Sequence, residues 1–171
     1  MIPRIRWVDR EFEFDFEVGL YRELLERLRG TPARVSDRLR GISRDLLTRR
    51  PPGHWSIQEN AGHLLDLESL FVGRLDDFLA SKTALRPADM ENHKTCDADH
   101  NETDLSVLLS EFGLQRTAFL ERLDSLDGSD FARSAMHPRL NKPMRLCDML
   151  YFHAEHDDYH LATITELLPK S

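Results

Sequence analysis

The chain has 171 residues and a formal charge of −7, with 40% hydrophobic and 31% charged residues. Length and apolar content suit one domain, residues 1–171, with a substantial core, and leave little room for a second. The acidic balance argues against a nucleic-acid partner, because such proteins need clustered Lys and Arg to displace counterions, and short pairs such as Arg49 and Arg50 do not supply one.

The N-terminal stretch MIPRIRWVDREFEF lacks the apolar core of a signal peptide. No later run approaches the roughly 20 apolar residues that span a bilayer, so no membrane contact and a cytoplasmic location are expected. Strict alternation occurs in EFEFDF, Glu11 to Phe16, which is either an extended segment or the beginning of the first helix. From about Val18 to Leu28, residues Leu20, Leu24, Leu25 and Leu28 recur at helical spacing on one face, and Gly30 should end that helix. Thr31-Pro32 is a good restart, with Thr31 as cap and Pro32 in the first turn, for a short piece reaching Leu39 or Ile42. Arg49 to Trp55, with two prolines and a glycine, reads as a loop.

Ser56-Ile57-Gln58-Glu59 matches a capping box and should open a long helix, about Ile57 to Leu79. Ser81 to about Asn101 is polar and reads as a long crossing loop. A further helix fits about Asp104 to Leu126, carrying Leu105, Leu108, Leu109, Phe112, Phe119 and Leu123 inward, with Asp127-Gly128 as its stop. Ser129 to Pro143 holds at most a short helical turn. The last helix should run from about Arg145 to Leu168, before Pro169. One dominant period and no convincing strand predict an all-α four-helix bundle with a long crossover loop. Cys96 and Cys147 belong to no ligand pair and are expected to be reduced.

The final helix holds His153, His156 and His160 within eight positions. On a wheel of about 100° per residue, all three fall in the apolar arc of Leu146, Met149, Leu150, Phe152, Leu161 and Ile164, opposite Asp148, Glu155 and Asp158. A lone inward histidine is more often a hydrogen-bonded core residue than a ligand. His156 and His160, one turn apart, can instead share one metal ion, and both readings stand for the pair alone. His63 lies at the edge of the apolar face of the 57–79 helix, and facing helices of a bundle commonly supply one internal site. One histidine from that helix and two from the last would give three nitrogen ligands with open positions, as in catalytic rather than structural sites.

The remaining polar candidates carry less. His54, His93 and His100 read as solvated loop residues, and His137 either lines a pocket mouth or caps a turn. HDDYH differs from the zincin HExxH in having Asp at its second position, and the zincin context is missing. Asp157 projects toward the inner arc, where it either accepts a ligand histidine's other ring N–H or pairs with a cation on a neighbouring helix. Asp66 and Glu59, one turn either side of His63, are candidates of the same kind.

RLRGTPARV (Arg27 to Val35), HWSIQENAGHLLDLE (His54 to Glu68) and MHPRLNKPMRLCDMLYFHAEHDDYHLATI (Met136 to Ile164) resemble the DinB/YfiT-like proteins over most of the chain. The resemblance implies a four-helix bundle with a divalent metal, zinc or nickel first among the candidates, held by His63, His156 and His160. His153 then lies outside the triad. Members include metal-dependent hydrolases and S-transferases that use a low-molecular-weight thiol, and homodimers occur. The expectation is therefore a metal-dependent enzyme that activates water or a small thiol for a small-molecule substrate, with Asp157 or His153 as proton relay. The alternative is a non-catalytic bundle that binds a small ligand or a metal.

Overall fold

Periodic apolar residues fold the chain into seven α-helices among the described residues, four arms of which form a bundle. The computed structural model describes residues 4–169, so the first three residues of the N-terminal stretch read above lie outside it. The first arm is α1 (Tyr21–Arg29) followed directly by α2 (Thr31–Leu39). The second is α4 (Ile57–Leu79), reached through the short α3 (Arg44–Thr48). The crossover carries α5 (His93–Asp97) and a 3-10 turn at His100–Glu102. The third and fourth arms are α6 (Leu105–Asp124) and α7 (Leu146–Leu167). α4 packs against both α6 and α7, and α7 packs also against α1.

Several expectations need correction at their edges. A 3-10 turn, Val18–Leu20, precedes α1, and Leu20 stays exposed rather than joining the buried face of Leu24, Leu25 and Leu28. Thr31 does not cap α2: Gly30 holds the cap position, and the Thr31 hydroxyl donates back to the Arg27 carbonyl at 3.3 Å. The 129–143 segment, read as at most a helical turn, holds a 3-10 helix at Gly128–Ala132 and then a hairpin of β1 (Ser134–His137) and β2 (Lys142–Arg145). The pairing is antiparallel, Ala135 opposite Met144, with a parallel bridge from Ala84 of the crossover to Met136. Four-residue strands with Pro143 in one of them are too short to register as a period.

EFEFDF is extended without joining a sheet. Phe12 packs against Phe152, and Phe16 against Tyr151. The carbonyls of Phe12, Phe14 and Phe16 are taken by the side chains of Lys142 and Arg145 in place of a strand ladder.

The core consists of two apolar clusters. One gathers Leu28, Phe71, Phe119 and Leu150 around α1, the second half of α4 and the first half of α7. The other gathers Val35, Leu64, Phe112 and Ile164, where α2 meets the opposite ends of the long helices. Between them, Arg116 of α6 is buried at 1% exposure. It donates to Glu68 of α4 (2.7 Å), Asp157 of α7 (2.8 Å) and the Leu28 carbonyl at the end of α1 (2.9 Å). Its guanidinium thus ties all four arms with charge-assisted bonds.

Candidate metal centre

The Ser56 hydroxyl accepts the Glu59 backbone N–H at 3.1 Å, and Glu59 accepts the Ser56 N–H at 2.8 Å. This capping box starts α4 where the sequence places it, and fixes the phase that turns His63 inward. On α7, the four-residue spacing stacks His156 and His160 on one face. The three imidazoles meet, all buried, with centroids 5.2 Å (His63–His156), 4.7 Å (His63–His160) and 4.6 Å (His156–His160) apart. One nitrogen from each lies within 4.8 Å of those of the other two.

Hydrogen bonds orient two of these rings. His63 Nδ1 lies 2.9 Å from the Thr95 hydroxyl, which donates its single proton to Asp66 Oδ2 at 2.8 Å. Thr95 therefore accepts from His63, placing the imidazole proton on Nδ1 and a lone pair on Nε2. His100 Nε2 reaches the same Asp66 oxygen at 2.8 Å. Its ring lies flat enough on α4 that a Cβ at Gly62 would come within 2.3 Å of it. His160 Nδ1 lies 2.9 Å from Asn60 Oδ1, and the Asn60 amide nitrogen donates to the Ser56 carbonyl, which settles the direction of that bond too. His156 Nδ1 is buried with no hydrogen-bond partner among the described residues.

Burial pushes the His63 imidazole down to about 4, against the opposing pull of Asp66. Burial, reinforced by the neighbouring imidazoles, holds His156 and His160 well below the usual histidine range. The cluster therefore offers three neutral nitrogen donors, two with their far nitrogen anchored and one with an orphaned ring nitrogen. That donor set fits a divalent ion with three protein ligands and an open position.

A cavity of about 450 Å³ opens over the histidines, with Trp7, Trp55, Leu67, Phe71 and Phe152 on its walls. Trp55 tilts against His63 at 4.8 Å, and Trp7 stands edge-on to His156 at 4.9 Å.

The family model of the DinB superfamily matches residues 27–164. The chain belongs to the DinB superfamily. Its fold is that of YfiT from Bacillus subtilis, described as a probable metal-dependent hydrolase with an unusual four-helix bundle topology. The two share 22% identity and a TM-score of 0.80, over 92% of this chain and 91% of that one. A mycothiol-dependent maleylpyruvate isomerase matches at 9% identity and TM-score 0.66, over 86% of this chain and 60% of its own. The colibactin self-resistance protein ClbS, in complex with double-stranded DNA, matches at 14% identity and TM-score 0.62, over 86% and 94%. No curated protein matches the sequence.

In this DinB chain the other sequence candidates fall in different places. Asp157 does not touch a histidine of the cluster: it pairs with Arg116, the second of its two readings. His153 sits in the same network, its Nε2 accepting from Arg116 at 2.9 Å and its ring stacked on Phe71 at 3.5 Å, and neither residue lines the cavity. Glu59 is held by Arg50 and its own cap. Asp66 reaches His63 by hydrogen bonds through Thr95, beside the direct pull of its charge. His54 and His93 are exposed as expected, whereas His100, read as solvated, is buried against Asp66. His137 fills both of its readings, lining the cavity and accepting the Leu140 N–H at 3.2 Å. Thr95 and Asn60 were missed: a threonine in a polar crossover carries no periodic signal, while Asn60 lies one turn from His63 and was open to notice. Cys96 is exposed and Cys147 buried, both unpaired. No helix among the described residues is long and apolar enough to cross a membrane.

Proposed function

We propose that this DinB protein is a divalent-metal enzyme in which His63, His156 and His160 supply three imidazole nitrogens. The observation that carries the reading is their convergence, neutral and buried, at the wall of an apolar cavity. A divalent ion held there, zinc or nickel first among the candidates that three imidazoles suit, would lower the pKa of a water or thiol and so supply a nucleophile near neutral pH. Thr95, backed by Asp66, and Asn60 fix the ring orientations of His63 and His160. The aromatic walls exclude bulk water from the reacting end and strengthen electrostatic interactions there.

Water as nucleophile makes the protein a hydrolase, in keeping with the description of YfiT. A low-molecular-weight thiol makes it a transferase; the mycothiol dependence of the isomerase that shares the fold supports the thiol, not the reaction class. A DNA duplex is not the partner in this reading, despite the fold shared with ClbS, because the chain's charge of −7 opposes it. A second reading, a bundle that binds a small ligand without turnover, draws on the cavity wall: among the described residues its one carboxylate is the exposed Asp89, so no buried acid stands ready as general base.

Metal-loaded protein should be assayed on a panel of small esters and amides, with and without an added low-molecular-weight thiol. The enzyme reading expects turnover that falls by about two orders of magnitude or more in His160→Ala, the scale on which metal catalysis operates. Ligand-dependent thermal stabilisation with no turnover in either arm supports the second reading.

A further inference from the structure

Three turns along α4 from His63, the same cavity is lined by hydrogen-bond donors with nothing to donate to. Arg74 follows His63 by eleven residues, so it shares its helix face about 16 Å further on. Long helical side chains lean toward the N-terminus, which turns this guanidinium back toward the histidines. Arg74 is 1% exposed. Its Nε donates to the Arg86 carbonyl at 3.2 Å, and its two terminal nitrogens donate to no described residue. From the β1–β2 hairpin come His137 and Arg139. His137 Nδ1 accepts the Leu140 N–H, so the ring proton sits on Nε2, which is buried without a partner. Arg139 spends Nη1 on the Val8 carbonyl at 3.1 Å, while Nη2 is buried and unpartnered.

All three line one cavity. Burial, then the charges of Arg74 and Arg139, push His137 down to about 3, and burial followed by Arg139 lowers Arg74 to about 10. Both guanidiniums remain charged at neutral pH, and the imidazole that shares their cavity wall stays a neutral donor. Asp77, whose charge pulls on Arg74, and Asp89 of the cavity lining are both hydrogen-bonded to other groups. Asp77 is held by Lys82 and Arg86, and Asp89 by the backbone of Glu91 and His93 and the His93 ring. A buried and a half-buried guanidinium, near a carboxylate already paired with other cations, leave a net positive charge at this wall that favours an anion. A forked guanidinium matches a carboxylate in geometry and charge.

We propose that Arg74, Arg139 and His137 form a subsite for the carboxylate of a small organic acid, whose apolar body lies along Trp7, Phe71 and Phe152 and whose far end reaches the three histidines. The last clause rests on the proposed function; the anion subsite does not. Trp7 bridges the two regions, 5.9 Å from the Arg139 guanidinium and 4.9 Å from the His156 ring. A singly charged carboxylate suits these apolar walls better than a phosphate dianion, which costs more to desolvate.

The chain's two tryptophans, Trp7 and Trp55, both line the cavity, so intrinsic fluorescence reports its occupancy. Full-length protein is titrated with 4-phenylbutyrate, its neutral amide and phenylphosphonate. The acid should bind at least about tenfold more tightly than the amide, the scale of one charge-assisted contact. Arg74→Met and Arg139→Met should each abolish most of that preference. Arg74→Met gives up the bond to the Arg86 carbonyl along with the buried charge, so its melting temperature is read beside that of Arg139→Met, which keeps a fold defect distinct from a lost subsite. Equal binding of acid and amide overturns the proposal, as does an acid preference that survives in both variants. Tighter binding of the phosphonate overturns the carboxylate assignment. The titrations are repeated after chelation and in His63→Ala: a persisting acid preference places the anion on the arginines whether or not the metal reading holds. A preference lost on chelation yet kept in Arg74→Met would place the anion at the histidines instead and overturn the subsite.

Discussion

His63 Nδ1 and the Thr95 hydroxyl lie 2.9 Å apart, and because Thr95 hands its proton to Asp66, the hydroxyl serves His63 purely as an acceptor. A group that fixes a ligand's tautomer is expected to matter to affinity without touching the metal. Thr95→Val, nearly isosteric, should weaken divalent-metal binding by about 10–100-fold with the fold intact, measured by competition against a chromogenic chelator. Unchanged affinity would mean that the His63 ring is held by packing alone.

Arg116 and Asp157 make a different kind of pair, buried and structural. Asp157→Asn leaves the guanidinium with reduced compensation and should cost about 3–5 kcal/mol of stability, read from urea unfolding, while metal content stays near that of the parent. Loss of metal with little change in stability would return Asp157 to the role of orienting a ligand histidine.

Much of this was legible in the sequence because long helices advertise themselves. Ser56-Ile57-Gln58-Glu59 set the start and phase of α4, and the phase of α4 and α7 together turned His63, His156 and His160 inward. Arg116 was open to discovery as well, since it falls between Phe112 and Phe119 on the inward face of α6, where a charge must find partners. The β1–β2 hairpin, α3 and the contacts of Thr95 and His100 were not legible. They are made by segments of three to five residues whose positions depend on tertiary packing rather than on any repeat.

The close approach of His100 to α4 depends on Gly62. Gly62→Ala puts a methyl about where the His100 ring now lies, and that ring is anchored to Asp66. Overpacking should cost about 1–3 kcal/mol and displace the crossover, visible as a lowered melting temperature and faster proteolysis within residues 93–102. A variant as stable as the parent would show that the crossover is free to shift.

Acid should destabilise the metal-free protein well before its carboxylates titrate. Burial, with the charges of Arg74 and Arg139, takes His137 down to about 3, and burial lowers His153 too. Unfolded, both titrate near about 6.5. The unfolded chain therefore takes up protons that the folded chain refuses, so stability is full above that pH and falls as pH drops toward the folded values. Each such histidine adds a slope of about 1.4 kcal/mol per pH unit. Urea midpoints of chelated protein between about pH 7 and about pH 5 should decline accordingly, and less steeply in His137→Gln. A flat profile would contradict burial of these rings in neutral form.

The central claim is that His63, His156 and His160 hold one divalent ion. Its most direct test is elemental analysis of purified, tag-free protein reconstituted with zinc or nickel and then desalted, beside His63→Ala and His160→Ala treated identically. The account predicts about one metal per chain in the parent, as a three-histidine site requires, and little in either variant. Metal-free parent protein after reconstitution, or equal metal in all three, would contradict it.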